Sequence, residues 1–138
     1  MKIYFAASIR GGGIDYETCR ALVRHLKGYG VVFTEHICRE AGGKDDRVSD
    51  EKIYERDIRW LRASDAVVAE VSVPSLGVGY EIGKAEDLGK RVLYLYREGS
   101  PNRLSAMIGG NKGIVVKRYR EIDEALSLID GFLSNSRL

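Results

Sequence analysis

Short apolar runs of strand length alternate with stretches of helical periodicity from one end of the chain to the other. The runs predict strands over residues 2–7, 30–34, 65–71, 91–96 and 114–118. Between and after them the spacing predicts helices over 15–27, 51–63 and 78–88, a short helix near 102–108, and a last helix over 121–133. Cys19, Leu22, Val23 and Leu26 share one helical face, as do Ile122, Leu126, Ile129 and Leu133. Gly28 and Gly30 stop the first helix, and residues 35–49 form a polar loop. Strands joined one to the next through helices imply an α/β domain with a parallel sheet, right-handed crossovers and helices on both faces. The expected form is a doubly wound, five-stranded sheet of order 2-1-3-4-5, whose topological switch lies between the first and third strands. Ligands of such sheets bind outside the carboxyl ends of those strands. The segments there are Ser8-Ile9-Arg10-Gly11-Gly12-Gly13 and Pro74-Ser75-Leu76-Gly77-Val78-Gly79-Tyr80-Glu81.

The length of 138 residues is that of one domain, taken to span 1–138, and no repeat, linker or low-complexity tract interrupts it. With 22 basic and 20 acidic side chains the formal charge is +2, so nothing points to a nucleic-acid polymer or a membrane surface as partner. The apolar run Ile3–Ala7 is too short for a signal segment or a membrane span, and a cytoplasmic protein is expected. The two cysteines, Cys19 and Cys38, argue against a disulfide framework and have no zinc-ligand spacing, which again suits a reducing compartment. Glycine stands out, 16 against 2 prolines, and clusters in the two loops named above.

Behind Arg10, three consecutive glycines just before a helix could turn backbone N–H groups toward an anion; the alternative is a flexible turn. A P-loop is excluded, because G-x-x-x-x-G-K-S/T is absent, and Gly77, Gly79 and Gly83 do not have dinucleotide-fingerprint spacing. Glu81 borders the inward stripe of Val78, Ile82 and Ala85: it faces the crevice or only complements the helix dipole. Asp57 falls on the buried face set by Ile53, Trp60 and Leu61, where an acid needs a partner; a structural carboxylate is the alternative reading. Tyr4 shares a strand face with Ala6 and Ser8. Two carboxylates and a phenol around an anion cradle suit cleavage of a glycosidic bond to a phosphorylated sugar, with one carboxylate attacking the anomeric carbon and the other handling the proton. His36 is expected in packing or an interface and not on a metal; the activity expected below needs neither metal nor organic cofactor. The Gly42–Asp50 run is either a lid or a solvated loop.

These residues also form blocks that resemble the 2'-deoxynucleoside 5'-monophosphate N-hydrolases, a branch of the nucleoside 2-deoxyribosyltransferase superfamily. The resemblance rests on Tyr4-Phe5 with Ser8-Ile9-Arg10-Gly11-Gly12, on Thr34-Glu35-His36, on Asp57 with Trp60-Leu61, on Pro74 to Gly83, and on Leu104-Ser105-Ala106-Met107-Ile108. It implies that Glu81 is the nucleophile, Asp57 the acid/base partner and Tyr4 a positioning hydroxyl. Ser8, Arg10, Gly11, Gly12 and Ser75 would hold the 5'-phosphate, with Ile9, Gly77 and Gly79 in the same substrate-binding loops. It further implies a homodimer in which Ser105 reaches the phosphate site of the neighbouring subunit. Ala6-Ala7 replaces a Cys-Gly pair associated with animal members, Gly13 extends the glycine run, and residues 37–50 have no clear counterpart. The expected activity is retaining hydrolysis of 2'-deoxynucleoside 5'-monophosphates to free base and 2-deoxyribose 5-phosphate. Its rivals are base exchange by a deoxyribosyltransferase and a nucleotide sensor without turnover.

Overall fold

A computed structural model describes residues 1–8, 15–38 and 47–135. Five strands, β1 (Lys2–Ala7), β2 (Val31–Val32), β3 (Ala66–Glu70), β4 (Arg91–Arg97) and β5 (Val116–Tyr119), form one parallel sheet of order β2-β1-β3-β4-β5. The helices are α1 (Tyr16–Lys27), α2 (Asp50–Ala63), α3 (Leu76–Asp87), α4 (Ala106–Gly109) and α5 (Ile122–Ser134). Alternation along the strands divides the core. Ile3, Phe5, Val68 and Leu95 meet Leu22, Leu26 and Ile129 of α1 and α5 on one side. Tyr4, Val67, Ala69 and Tyr94 meet Leu61 and Ile82 of α2 and α3 on the other. The order and the two helical layers are those the apolar runs predict, and the switch falls between β1 and β3.

Element boundaries moved where side chains intervene. The second strand ends early because the Thr34 hydroxyl takes over the ladder, accepting from Phe5 N at 2.9 Å and donating to Phe5 O at 2.7 Å. The chain then turns into a 3-10 helix, Glu35–Cys38, inside what the sequence suggested was loop. The third crossover helix starts earlier than predicted because the Ser75 Oγ accepts from Val78 N at 3.2 Å and caps the first turn. At Gly30 a Cβ would lie 2.0 Å from Met1 O, so only glycine lets the chain enter β2 beside the start of β1.

The cysteine expectation is overturned. Cys19 of α1 and Cys38 of the 3-10 helix are joined by a disulfide, because packing of these two elements buries both side chains and brings their Cα atoms to 5.5 Å. Sequence separation alone could not show that approach. Closing a loop of this length should contribute about 3 kcal/mol. Alkylation of the unreduced protein is therefore expected to label neither cysteine, and a dithiol reductant should lower the unfolding midpoint by several degrees. Among the described residues no helix is long and apolar enough to cross a membrane.

Candidate active site

Tyr4 projects from β1 through the buried layer under α2 and α3, and its hydroxyl donates to Glu81 Oε1 at 2.7 Å. This bond joins residues 77 positions apart at the switch between β1 and β3. Glu81 lies on the second turn of α3, beside the buried stripe of Val78, Ile82 and Ala85, and is itself partly buried. Loss of hydration pushes its carboxyl from an ordinary 4.5 up to about 7; the Tyr4 hydrogen bond opposes the rise and the negative charge of Asp57 adds to it. Burial, Glu81 and Asp57 together hold the Tyr4 phenol far above its ordinary value, so it remains a donor. Glu81 is thus held from its carboxylate end by a buried phenol, in addition to its place in the first turns of α3.

Asp57 is on α2, with 21% of its side chain exposed, and accepts from Arg56 Nε at 2.8 Å. The Arg56 guanidinium also lies 4.8 Å from the centre of the Trp60 ring, one turn along the helix from Asp57. Trp60 in turn stacks on Phe33, with ring centroids 5.9 Å apart and planes 3° apart, and meets His36 at 5.7 Å. His36 packs against Trp60, and among the described residues no group of three or more metal-ligating side chains converges. Arg56 and Phe33 were not singled out from the sequence. The Arg-Asp dipeptide was the available signal for the first, and the second depends on the shortened β2. Tyr54 and Tyr80, also missed, bridge α2 and α3 at the protein surface in an edge-to-face pair at 6.2 Å.

The phosphate-binding candidates fall into separate places. Ser8 is buried immediately after β1, whereas Ile9, Arg10, Gly11 and Gly12 lie outside the described residues. Ser75 caps α3. Gly77 is exposed in the first turn, where a Cβ would meet only Ser75 Oγ at 3.8 Å, and a Cβ on Gly79 would meet nothing within 4 Å. Neither glycine has a positive φ, so both leave open space over the helix without relieving a strained turn. Ser75, Gly79 and Ser105 line one cavity of about 690 Å³ between α3 and α4. At 100° per residue, Gly79 and Gly83, which line that cavity, lie nearly opposite Glu81 around α3. The structure unites Tyr4 and Glu81 with Asp57 nearby, and places Ser105 in the α3–α4 cavity beside Ser75 of its own subunit.

The geometry sets opposite pH responses for two variants. A carboxylate that is to attack an electrophile must be ionised, so under a nucleophilic role for Glu81 activity is expected to rise with pH through its value near 7. Tyr4→Phe removes the bond that favours the carboxylate and should move this acidic limb upward; Asp57→Asn removes a repelling charge and should move it downward. Profiles of kcat/KM against pH measure both. Shifts in the same direction would contradict the arrangement.

The nucleoside 2-deoxyribosyltransferase family model matches residues 3–125. A 5-hydroxymethyl-dUMP N-hydrolase of Tetraodon nigroviridis is 47% identical over 143 residues, covering 99% of this chain and 100% of that protein. One from Danio rerio is 42% identical over 137 residues, covering 96% and 95%. Among solved structures, the Clostridium botulinum CMP N-glycosidase BcmB shares the fold with a TM-score of 0.68 at 21% identity, covering 95% of this chain and 99% of that one. The 2-deoxyribosyltransferase from Leishmania mexicana does so with a TM-score of 0.61 at 21% identity, covering 99% and 98%. From its first strand into its last helix, the chain belongs to the nucleoside 2-deoxyribosyltransferase family.

Proposed function

We propose that this enzyme hydrolyses the N-glycosidic bond of 2'-deoxynucleoside 5'-monophosphates, releasing free base and 2-deoxyribose 5-phosphate. The observation that carries the reading is the Tyr4–Glu81 hydrogen bond at 2.7 Å, with Asp57 close enough to perturb both groups. The hydrolase names of relatives at 42% and 47% identity support the substrate class. Ionised Glu81 attacks the anomeric carbon as the bond to the base breaks, forming a glycosyl ester. Asp57, oriented by Arg56, assists the departing base and then the attacking water. Tyr4 holds the Glu81 carboxylate in line for attack. The aromatic wall of Phe33, His36 and Trp60, one helical turn beyond Asp57, offers the base its apolar faces. Ser8, Ser75 and the Arg10 loop hold the phosphate. A location in the cytoplasm suits this substrate class, but the Cys19–Cys38 disulfide removes the cysteine argument for a reducing compartment. The direct assay measures free base released from a panel of deoxynucleoside monophosphates, matched nucleosides and ribonucleotides; absence of release from every deoxynucleoside monophosphate would overturn the reading.

The active form is a homodimer with Ser105 reaching the partner's phosphate site. The cavity between α3 and α4 is rimmed by Leu76 and Met107, which are 97% and 86% exposed, and a second copy would cover them. Ser105→Ala should weaken monophosphate binding by about 1 kcal/mol. Mixed with Glu81→Ala protein, it should form heterodimers in which one site is intact and the other carries both lesions. Activity at low substrate should therefore exceed the sum of the separate proteins. No gain after demonstrated subunit exchange would place Ser105 in its own subunit's site or outside any site.

A further inference from the structure

Glu70 is the sole fully buried carboxylate among the described residues, and the chemistry above does not use it. It ends β3, in register with Ala7 of β1 and Leu95 of β4, at the carboxyl edge of the sheet. Its Oε1 accepts from Ser72 N at 2.7 Å, and its Oε2 accepts from the Tyr119 hydroxyl of β5. Burial raises its pKa, while both donors and the charge of Arg97 counter the rise. An ion in this layer is costly, and an apolar side chain of similar volume would serve packing as well.

The bonds around Glu70 lead to the turn before α3 and, by way of Arg97, to the start of α1. Besides the N–H held by Glu70, the Ser72 Oγ accepts from Arg97 N at 2.7 Å and its carbonyl accepts from Ser100 Oγ at 3.1 Å. Every polar group of Ser72 is therefore tied, three residues before Ser75 caps α3. In the other direction, the Arg97 guanidinium lies 3.8 Å from Asp15 Oδ2. Asp15 caps α1, accepting from Thr18 N at 2.7 Å and Thr18 Oγ1 at 3.0 Å. Arg97 thus touches Ser72 through its backbone N–H and Asp15 through its guanidinium, linking the turn before α3 to the start of α1.

We propose that Glu70 is a positioning residue for phosphate binding, holding the Ser72–Ser75 turn so that Ser75 at the start of α3 meets the phosphate. This rests on the reading of the site as one for a 5'-monophosphate. Glutamine is isosteric but replaces one acceptor oxygen with an NH2 donor, so Ser72 N and the Tyr119 hydroxyl can no longer each donate to their own oxygen.

Glu70→Gln is expected to raise KM for a deoxynucleoside monophosphate about tenfold while changing kcat less than about threefold, and to weaken binding of 2-deoxyribose 5-phosphate in parallel. Tyr119→Phe, which leaves the carboxylate and its Ser72 bond in place, should show the same split at about threefold and keeps the test open if the glutamine variant fails to fold. A lower melting temperature with unchanged KM and unchanged sugar-phosphate binding would overturn the proposal and make Glu70 merely structural. Equal loss of kcat for monophosphate and nucleoside would also overturn it. If the wild-type protein neither binds 2-deoxyribose 5-phosphate nor hydrolyses monophosphates, the reading of the site fails and this proposal with it. If it does both and the variants match it in KM, only the role of Glu70 fails.

Discussion

Glu81→Ala should lower kcat for base release about a thousandfold or more, with the fold intact and nucleotide still bound, because a nucleophile acts mainly in the transition state. Retention of even about a tenth of the activity would be incompatible with covalent catalysis, since removal of a nucleophile costs far more than that. Stability gives a second readout. The folded state holds the Glu81 proton more tightly than the unfolded chain does, about 7 against an ordinary 4.5, so this group makes the protein less stable as pH rises from below 4.5 through 7. Glu81→Gln should remove that cost. At pH about 8 the variant is expected to be more stable than wild type by about 2 kcal/mol, allowing for partial exposure, and the gain should vanish below pH about 4.5. Chemical denaturation at the two pH values measures it.

The second large effect is selectivity for the 5'-phosphate. Each charge-assisted bond from Ser8, Ser75 or Arg10 is worth about 1.5 to 3 kcal/mol, so two or three of them should favour the monophosphate over its nucleoside by about two orders of magnitude or more in kcat/KM. Arg10→Ala should narrow that preference and leave the nucleoside reaction nearly unchanged. A nucleoside that reacts as fast as its monophosphate would instead favour a deoxyribosyltransferase, whose nucleoside substrate carries no phosphate to bind.

The parts of the fold that could be read in advance were those written in periodicity. Alternating apolar runs fixed strand count and order, because buried parallel strands joined by helices have few other arrangements. Errors arose where one side chain replaced backbone bonding: Thr34 ended β2, and Ser75 began α3 early. The Cys19–Cys38 disulfide depends on how α1 meets the 3-10 helix, which no local pattern encodes. In the site, Glu81 and Asp57 were visible because each is a carboxylate beside an apolar stripe, an expensive placement that invites explanation. Tyr4 could be assigned to a face, but its hydrogen bond to Glu81 spans 77 residues and required the tertiary structure. Glu70 passed unnoticed at the end of a strand, since only the approach of Tyr119 and Ser72 gives its carboxylate partners.

The central claim is hydrolysis, in which water takes the sugar from Glu81. The most direct measurement follows one deoxynucleoside monophosphate with purified protein and an excess of a second free base, quantifying original base, sugar phosphate and any new nucleotide together. The account predicts original base and 2-deoxyribose 5-phosphate in equal amounts and no new nucleotide. Original base matched by a new nucleotide, with no sugar phosphate released, would contradict it.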